Sequence, residues 1–244
     1  MARTSIEWTE CSWNPVTGCT KISAGCEHCY AERMAKRLKA MGLSRYRNGF
    51  DVTMHRDLVD LPIRWKKPQS IFVNSMSDLF HEDVPDTFIE SVITTIRIAE
   101  WHRFQLLTKR AERIEKIEID FAWPSNTMLG VTVENRNTIG RIDALRASSA
   151  PCKFISFEPL IGPVGMINLH GINWVIVGGE SGPGARPMDE AWVIEIKRQA
   201  EFLEIPFFSS SGTEYLKRRG EESSKDESGT RSQNWSLKKN RIGW

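Results

Sequence analysis

The sequence predicts a single-domain α/β protein whose parallel strands wind into a (βα) barrel or a partial, TIM-like barrel. Three observations carry this. Short apolar runs, each bounded by polar, Gly or Pro residues, alternate along the chain with stretches of helical period. Such alternation implies parallel pairing through right-handed crossovers. Six such runs, with a seventh near Asn14–Thr17, suit a barrel or part of one better than an open sheet; a doubly wound open sheet is the alternative.

After the Asn14–Thr17 run comes a helical pattern over Glu27–Met41. Ser70–Asn74 is the next strand and Pro85–Glu100 the next helix. There Phe88, Val92, Ile96 and Ala99 recur at steps of three and four and make one apolar face. Strand Arg103–Thr108 leads into helix Arg110–Ile117, and strand Thr127–Thr132 into helix Asn137–Ala147. Strands Lys153–Phe157 and Trp174–Gly178 precede helix Asp189–Leu203, whose apolar side is marked by Trp192, Ile196 and Phe202 or Leu203. Ile205–Phe208 ends the series. Ser125, Asn137 and Asp189 read as helix caps. From Ser209 to Trp244 the composition changes: Ser, Lys, Arg and Glu dominate, and few apolar residues precede Trp235. A folded body over residues 1–208 and a loosely ordered polar tail over 209–244 are expected.

With 244 residues, 40% hydrophobic and 26% charged, the chain has what one core needs. A net charge of +2 names neither nucleic acid nor a membrane as partner. No apolar run approaches the ~20 residues of a membrane span. Met1–Glu10 is polar and lacks the apolar core of a signal peptide. A cytoplasmic location, with reduced thiols, is expected. The five cysteines are Cys11, Cys19, Cys26, Cys29 and Cys152. An odd number, with three crowded together, argues for a metal site over a disulfide framework.

The segment Thr17-Gly18-Cys19-Thr20-Lys21-Ile22-Ser23-Ala24-Gly25-Cys26-Glu27-His28-Cys29-Tyr30 spaces its cysteines as C-x6-C-x2-C. Three thiolates on one loop can hold three irons of a 4Fe-4S cluster and leave the fourth iron open. Cys26 and Cys29 sit at a turn running into a helix, whose free N–H groups can bond sulfur. Gly18 and Gly25 each precede a cysteine, where a small residue lets backbone approach the cluster. The alternative is a structural zinc site. His28 lies between two cysteines and would be strained as a fourth ligand, and no second C-x2-C or H-x3-H pair exists.

Barrel proteins carry their chemistry at the C-terminal ends of the strands. Asn74, Ser75 and Asp78 follow one strand, and Thr108, Lys109 and Arg110 the next. Glu134, Asn135 and Arg136 follow a third, Glu158 a fourth, Glu180 and Ser181 a fifth. One polar site at one mouth is the reading, although any of these could singly be a cap or loop residue. Gly178–Gly184 has neither of the glycine-rich phosphate-loop patterns. Trp8, Trp13, Tyr46, Arg45, Arg47, Trp65, Lys66 and Lys67 could bind nucleic acid by stacking and charge, or be core tryptophans beside a solvated loop.

Together the motifs resemble a phage-associated three-cysteine family of uncharacterised proteins related to radical-SAM enzymes. The resemblance rests on Trp13–Lys21, Gly25-Cys26 and Cys29-Tyr30-Ala31-Glu32. It continues through Phe72–Phe80, Leu107-Thr108-Lys109-Arg110, Gly130–Asn135, Ser156-Phe157-Glu158-Pro159-Leu160 and Val177–Gly182, and covers Thr4 to Phe208. Radical-SAM enzymes usually place three residues between the first two cysteines; this chain has six. The resemblance implies a barrel of the radical-SAM type, a 4Fe-4S cluster on Cys19, Cys26 and Cys29, S-adenosyl-L-methionine (SAM) as second cofactor, and an electron donor. Asn74, Ser75 and Asp78 would lie near the SAM amine, Lys109 or Arg110 near its carboxylate, and Glu134 and Asn135 near the ribose hydroxyls. Glu158 and Glu180 would line the same mouth. The implied reaction is reductive SAM cleavage followed by hydrogen abstraction from an unknown substrate. Nucleic acid repair or modification is suggested by lesion-repairing relatives. A non-catalytic iron–sulfur or zinc sensor is the competing reading.

The tail departs from this family. Relatives continue the last strand as Phe-Phe-Phe-Lys-Gln-Trp, and later carry Gly-Arg-x-Leu-Asp-Gly-Arg-x-Trp-Asp. Here Phe207-Phe208 is followed by Ser209-Ser210-Ser211-Gly212. Codons TCA AGC AGT GG, with one T restored in front, spell TTC AAG CAG TGG, which is Phe-Lys-Gln-Trp. Glu221–Thr230, shifted the same way, permits Gly-Arg-Val-Leu-Glu-Gly-Arg-Val-Trp-Asp. A single-base deletion near Ser209 is expected to have replaced the family's C-terminal segment.

Overall fold

The computed structural model describes residues 2–4, 6–117 and 122–210. Strand β1 (Ala2–Arg3) pairs antiparallel with β2 (Cys11–Trp13). β3 (Val16–Thr17) and β4 (Thr53–Met54) form a separate antiparallel ladder, with helix α1 (Tyr30–Ala40) between them in the chain. There follow β5 (Ser70–Val73), α2 (Asp86–Ile98), β6 (Arg103–Thr108), α3 (Glu112–Ile117), β7 (Thr127–Thr132) and α4 (Arg141–Ala147). The last elements are β8 (Cys152–Phe157), β9 (Trp174–Val177), α5 (Glu190–Phe202) and β10 (Phe207–Ser209). The sheet order is β1-β2-β5-β6-β7-β8-β9-β10, and every pairing after the first is parallel. Seven parallel strands thus make a curled half-barrel, with β1 and β10 on its edges.

Strand residues alternate between the two faces. Ile71, Phe104, Leu106, Leu129, Val131, Ile155, Phe157 and Val175 lie on one face and are all at most 1% exposed. Helix α2 brings Phe88, Ile89, Val92, Ile93 and Ile96 to the core, each buried side chain contributing ~1.5–3 kcal/mol. On the opposite face an aromatic group forms around Trp8, whose ring lies 4.7 Å from Phe72, 6.2 Å from Phe154 and 6.1 Å from Trp174. Gly130 makes room for the Phe154 ring, which would stand 2.5 Å from any Cβ placed there.

Several expectations shift. The first parallel strand is Cys11–Trp13 and not Asn14–Thr17. Its ladder reaches Asn74 N–H, which donates to Trp13 O at 2.8 Å. Pro15 has no N–H to extend it, and Val16–Thr17 pair with β4 instead. On α5 the buried face is Val193, Ile196 and Ala200, whereas Phe202 is 87% exposed. Steps of three and four keep one face, but position 202 lies six beyond Ile196, about two-thirds of a turn away. Asp189 caps α5, accepting from Ala191 N at 2.8 Å. Before α4 the cap is Asn135 and not Asn137, because Asn135 Oδ1 accepts the Asn137 N–H at 2.9 Å in a capping box with Thr138. Trp13 is a core residue, donating its ring N–H to Leu58 O at 2.8 Å, and Trp8 fills the sheet's aromatic face. The expected tail lies, beyond Ser210, outside the described residues.

Candidate functional site

The cysteine loop runs from the end of β2 into α1. Cys26 closes a short 3-10 turn, Ala24–Cys26, and Cys29 is the N-cap of α1. The ends of four strands, β5, β6, β7 and β9, hold the loop. After β5, Met76 O accepts the Gly18 N–H at 3.0 Å. After β6, Arg110 Nη1 donates to Cys19 Sγ at 3.4 Å and Nη2 to Thr20 Oγ1 at 2.8 Å. After β7, the fully buried Glu134 accepts from Ser23 Oγ at 2.6 Å. After β9, Glu180 pairs with Arg186, whose Nη2 donates to Ala24 O at 2.7 Å and whose Nη1 meets Glu27 Oε2 at 3.2 Å. That pairing holds the Glu180 carboxyl below the usual carboxylate range.

The two glycines stand against protein at close range. Gly18 has φ +85°, and a Cβ there would stand 2.2 Å from Asp51 O; at Gly25 it would stand 2.6 Å from the Glu134 carboxylate. Each glycine lets the loop close on protein.

Among the described residues no three His, Cys, Asp or Glu side chains gather around one metal position. The donors suit a multi-iron cluster, in which each thiolate binds a different iron. Burial and the Asp78 carboxylate push the Cys19 thiol up to about 11, with Arg110 acting the other way; a metal bound there would have to displace that proton.

The strand-end residues divide by what their polar atoms already do. The Asp78 carboxylate accepts from Thr108 Oγ1 at 2.8 and 2.9 Å, Phe80 N at 3.0 Å, Lys109 N at 3.1 Å and Arg110 Nη1 at 3.4 Å. Its capacity is taken up within the protein. Ser75 Oγ donates to Asn14 Oδ1 at 3.2 Å. Asn74 Oδ1 accepts from Val16 N at 3.2 Å, but its Nδ2 is buried without a partner among the described residues, on a backbone held at φ 60°. Glu134 Oε1 takes Lys109 Nζ at 3.2 Å and Arg141 Nη1 at 3.5 Å, while Oε2 is likewise left over. Ser23, Ala24, Glu134, Asn135, Thr138 and Arg141 line a cleft of about 400 Å³ beside the cysteine loop. Buried polar groups are normally satisfied, so Asn74 and Glu134 mark where a polar ligand would complete the site.

Residues 3–238 match the family described as "Protein of unknown function (DUF5131)". The chain belongs to that family. No curated protein matches it in sequence. In fold the family member is similar to spore photoproduct lyase complexed with dinucleoside spore photoproduct: 12% identity, 86% of this chain and 79% of that one, TM-score 0.55. It is similar also to a mutant of that lyase with dinucleoside spore photoproduct, at 13% identity over 86% and 79% of the chains and TM-score 0.57. A double mutant with bound AdoMet and dinucleoside spore photoproduct gives 12% identity, 85% and 78% coverage and TM-score 0.54. The match establishes the half-barrel as the fold of these structures.

Glu158 of this family member bonds Ser156, Trp8 and Ser210. Its Oε2 accepts from Ser156 Oγ at 3.1 Å and Trp8 Nε1 at 3.3 Å. Burial pushes its carboxyl up, against hydrogen bonds from Ser210, Ser156 and Trp8. A raised carboxyl contributes stability that is whole below its unfolded value, ~4.3, and is lost as pH rises through the folded one. Glu158→Gln should therefore match wild type in Tm at pH 4 and exceed it at pH 8. Thermal melts across that range check this, and a Tm difference that does not change with pH refutes it.

Reading along the chain missed Ser23, His81, Glu82, Arg141 and Arg186. Only Arg186 offered a signal, as a cation six residues after Glu180, and loops carry many such pairs.

Proposed function

We propose that this chain is an iron–sulfur enzyme of the radical-SAM type, acting on a nucleic acid. The observation that supports it best is the placement of the C-x6-C-x2-C loop at the C-terminal mouth of a parallel half-barrel shared with spore photoproduct lyase. Cys19, Cys26 and Cys29 would hold a 4Fe-4S cluster, and SAM would complete the site. When bound, the pair supplies reductive cleavage of SAM and hydrogen abstraction from substrate. The protein's own part is to orient and to exclude water. Asn74 Nδ2 and Glu134 Oε2, buried without a partner among the described residues, would meet SAM at its amino-acid end and its ribose respectively. Lys109 would meet the carboxylate. The lyase structures hold dinucleoside photoproducts, which is why nucleic acid is the substrate class proposed. A cytoplasmic setting, phage association and a separate electron donor belong to the same proposal.

The test is anaerobic reconstitution with iron and sulfide, then dithionite and SAM. About four irons per chain and release of 5′-deoxyadenosine are expected. Glu134→Gln should keep the iron and bind SAM at least tenfold more weakly by calorimetry. Iron without SAM cleavage would favour the sensor reading.

We further propose that the tail from Ser209 is frame-shifted. Ser210 bonds the Glu158 carboxylate, and in the restored frame a lysine stands at that position, where it would meet a buried acid with a charge. Restoring the frame should raise Tm by several degrees. Gene codons at Ser209–Ser211 other than TCA AGC AGT would end the idea.

A further inference from the structure

We propose that Arg110 is a positioning residue for the first cluster ligand. Its guanidinium seats Cys19 and Thr20, and its charge and N–H···S bond raise the reduction potential of a cluster bound there. The inference rests on the cluster reading above.

Arg110 is 4% exposed. A guanidinium has five N–H donors in a fixed fork, and here all five are engaged. Nε donates to Glu82 Oε2 at 2.8 Å. Nη1 donates to Cys19 Sγ and Asp78 Oδ2, each at 3.4 Å. Nη2 donates to Thr20 Oγ1 at 2.8 Å and Thr20 O at 3.3 Å. No donor remains for a SAM carboxylate, so Lys109 takes that role alone.

Thr20 is gripped from its other side by the buried His81. Nδ1 of His81 accepts the Asp83 N–H at 3.1 Å, so the ring proton sits on Nε2, which donates to Thr20 Oγ1 at 2.8 Å. The Thr20 hydroxyl then gives its own proton to Glu82 Oε1 at 3.3 Å. Three residues, His81 and Glu82 after β5 and Arg110 after β6, thus fix the residue beside Cys19, and with it the sulfur.

A cluster gains one negative charge when reduced. A cation and an N–H donor at a ligand sulfur favour that state, and the more so where water is excluded.

The experiment is an EPR-monitored dithionite titration of reconstituted full-length protein, in which one electron takes the cluster from its 2+ to its 1+ charge. Arg110→Gln should keep the iron and sulfide content but lower the midpoint. The expected fall is about tenfold in the one-electron equilibrium constant, ~59 mV. Arg110→Lys should recover part of it. Because Arg110→Gln leaves Asp78 without its cation, Thr20→Val serves as second variant: it removes the hydroxyl's bonds with Nη2, His81 and Glu82 and no buried charge, and should shift the midpoint the same way by less. A cluster with wild-type midpoint in Arg110→Gln, or in Thr20→Val if the first variant does not fold, overturns the proposal. A wild-type chain that takes up no iron defeats the cluster reading itself, and this inference with it.

Discussion

Replacing Cys19, Cys26 or Cys29 by Ala should each abolish the brown chromophore of the reconstituted protein, taking iron from about four per chain to near zero. Cys11→Ala and Cys152→Ala should keep both. The five thiols differ in place and accessibility. Cys11 lies in β2 with no exposure and Cys152 in β8 at 4%, and burial pushes each thiol up to about 11. They are small apolar residues of the sheet. The other three line one loop, partly exposed, at the mouth end of the strands. Removing one leaves two thiolates for three irons. A cluster that survives Cys26→Ala unchanged would remove the loop from the site.

Asp78→Ala should destabilise the fold by ~3–5 kcal/mol, the loss typical when one partner of a buried ion pair is removed. Asp78 is 6% exposed and accepts from two backbone amides, the Thr108 hydroxyl and Arg110. Without it, Arg110 Nη1 and the Lys109 and Phe80 N–H groups lose this acceptor together, and Arg110 keeps only Glu82 as a carboxylate partner. Asp78→Asn keeps part of the acceptor geometry and should cost less. Urea unfolding of the two variants measures this. A loss below ~1 kcal/mol in Asp78→Ala would show that the carboxylate is not the brace between the ends of β5 and β6.

Much of the fold was legible in the chain because its signals are local. Arg103–Thr108 and Thr127–Thr132 are strands with the boundaries their apolar runs suggest. Phe88, Val92, Ile96 and Ala99 are buried as their spacing implies. On α5 Phe202 leaves the buried face because it stands six residues from Ile196, whereas Val193 and Ala200 stand three and four away. The first strand was misplaced because a three-residue run beside a proline carries little periodicity.

The sequence by itself determined the alternating strands and helices, the C-x6-C-x2-C loop and the collection of polar residues just after the strands. These are properties of neighbours along the chain, set by side-chain period, turn chemistry and cysteine spacing. Tertiary structure alone decided which polar residues are braces and which are left open. Asp78 and Arg110 looked like Asn74 and Glu134, each a polar residue after a strand. Asp78 and Arg110 spend their hydrogen bonds on one another and on Thr20 and Cys19, whereas Asn74 and Glu134 each keep one buried atom unpartnered among the described residues. The contacts that make the difference join positions far apart, such as Ser23 with Glu134 and Ala24 with Arg186. Hydrogen-bond capacity is a local property of a residue, but its use is settled only when the sheet curls and brings the strand ends round one loop.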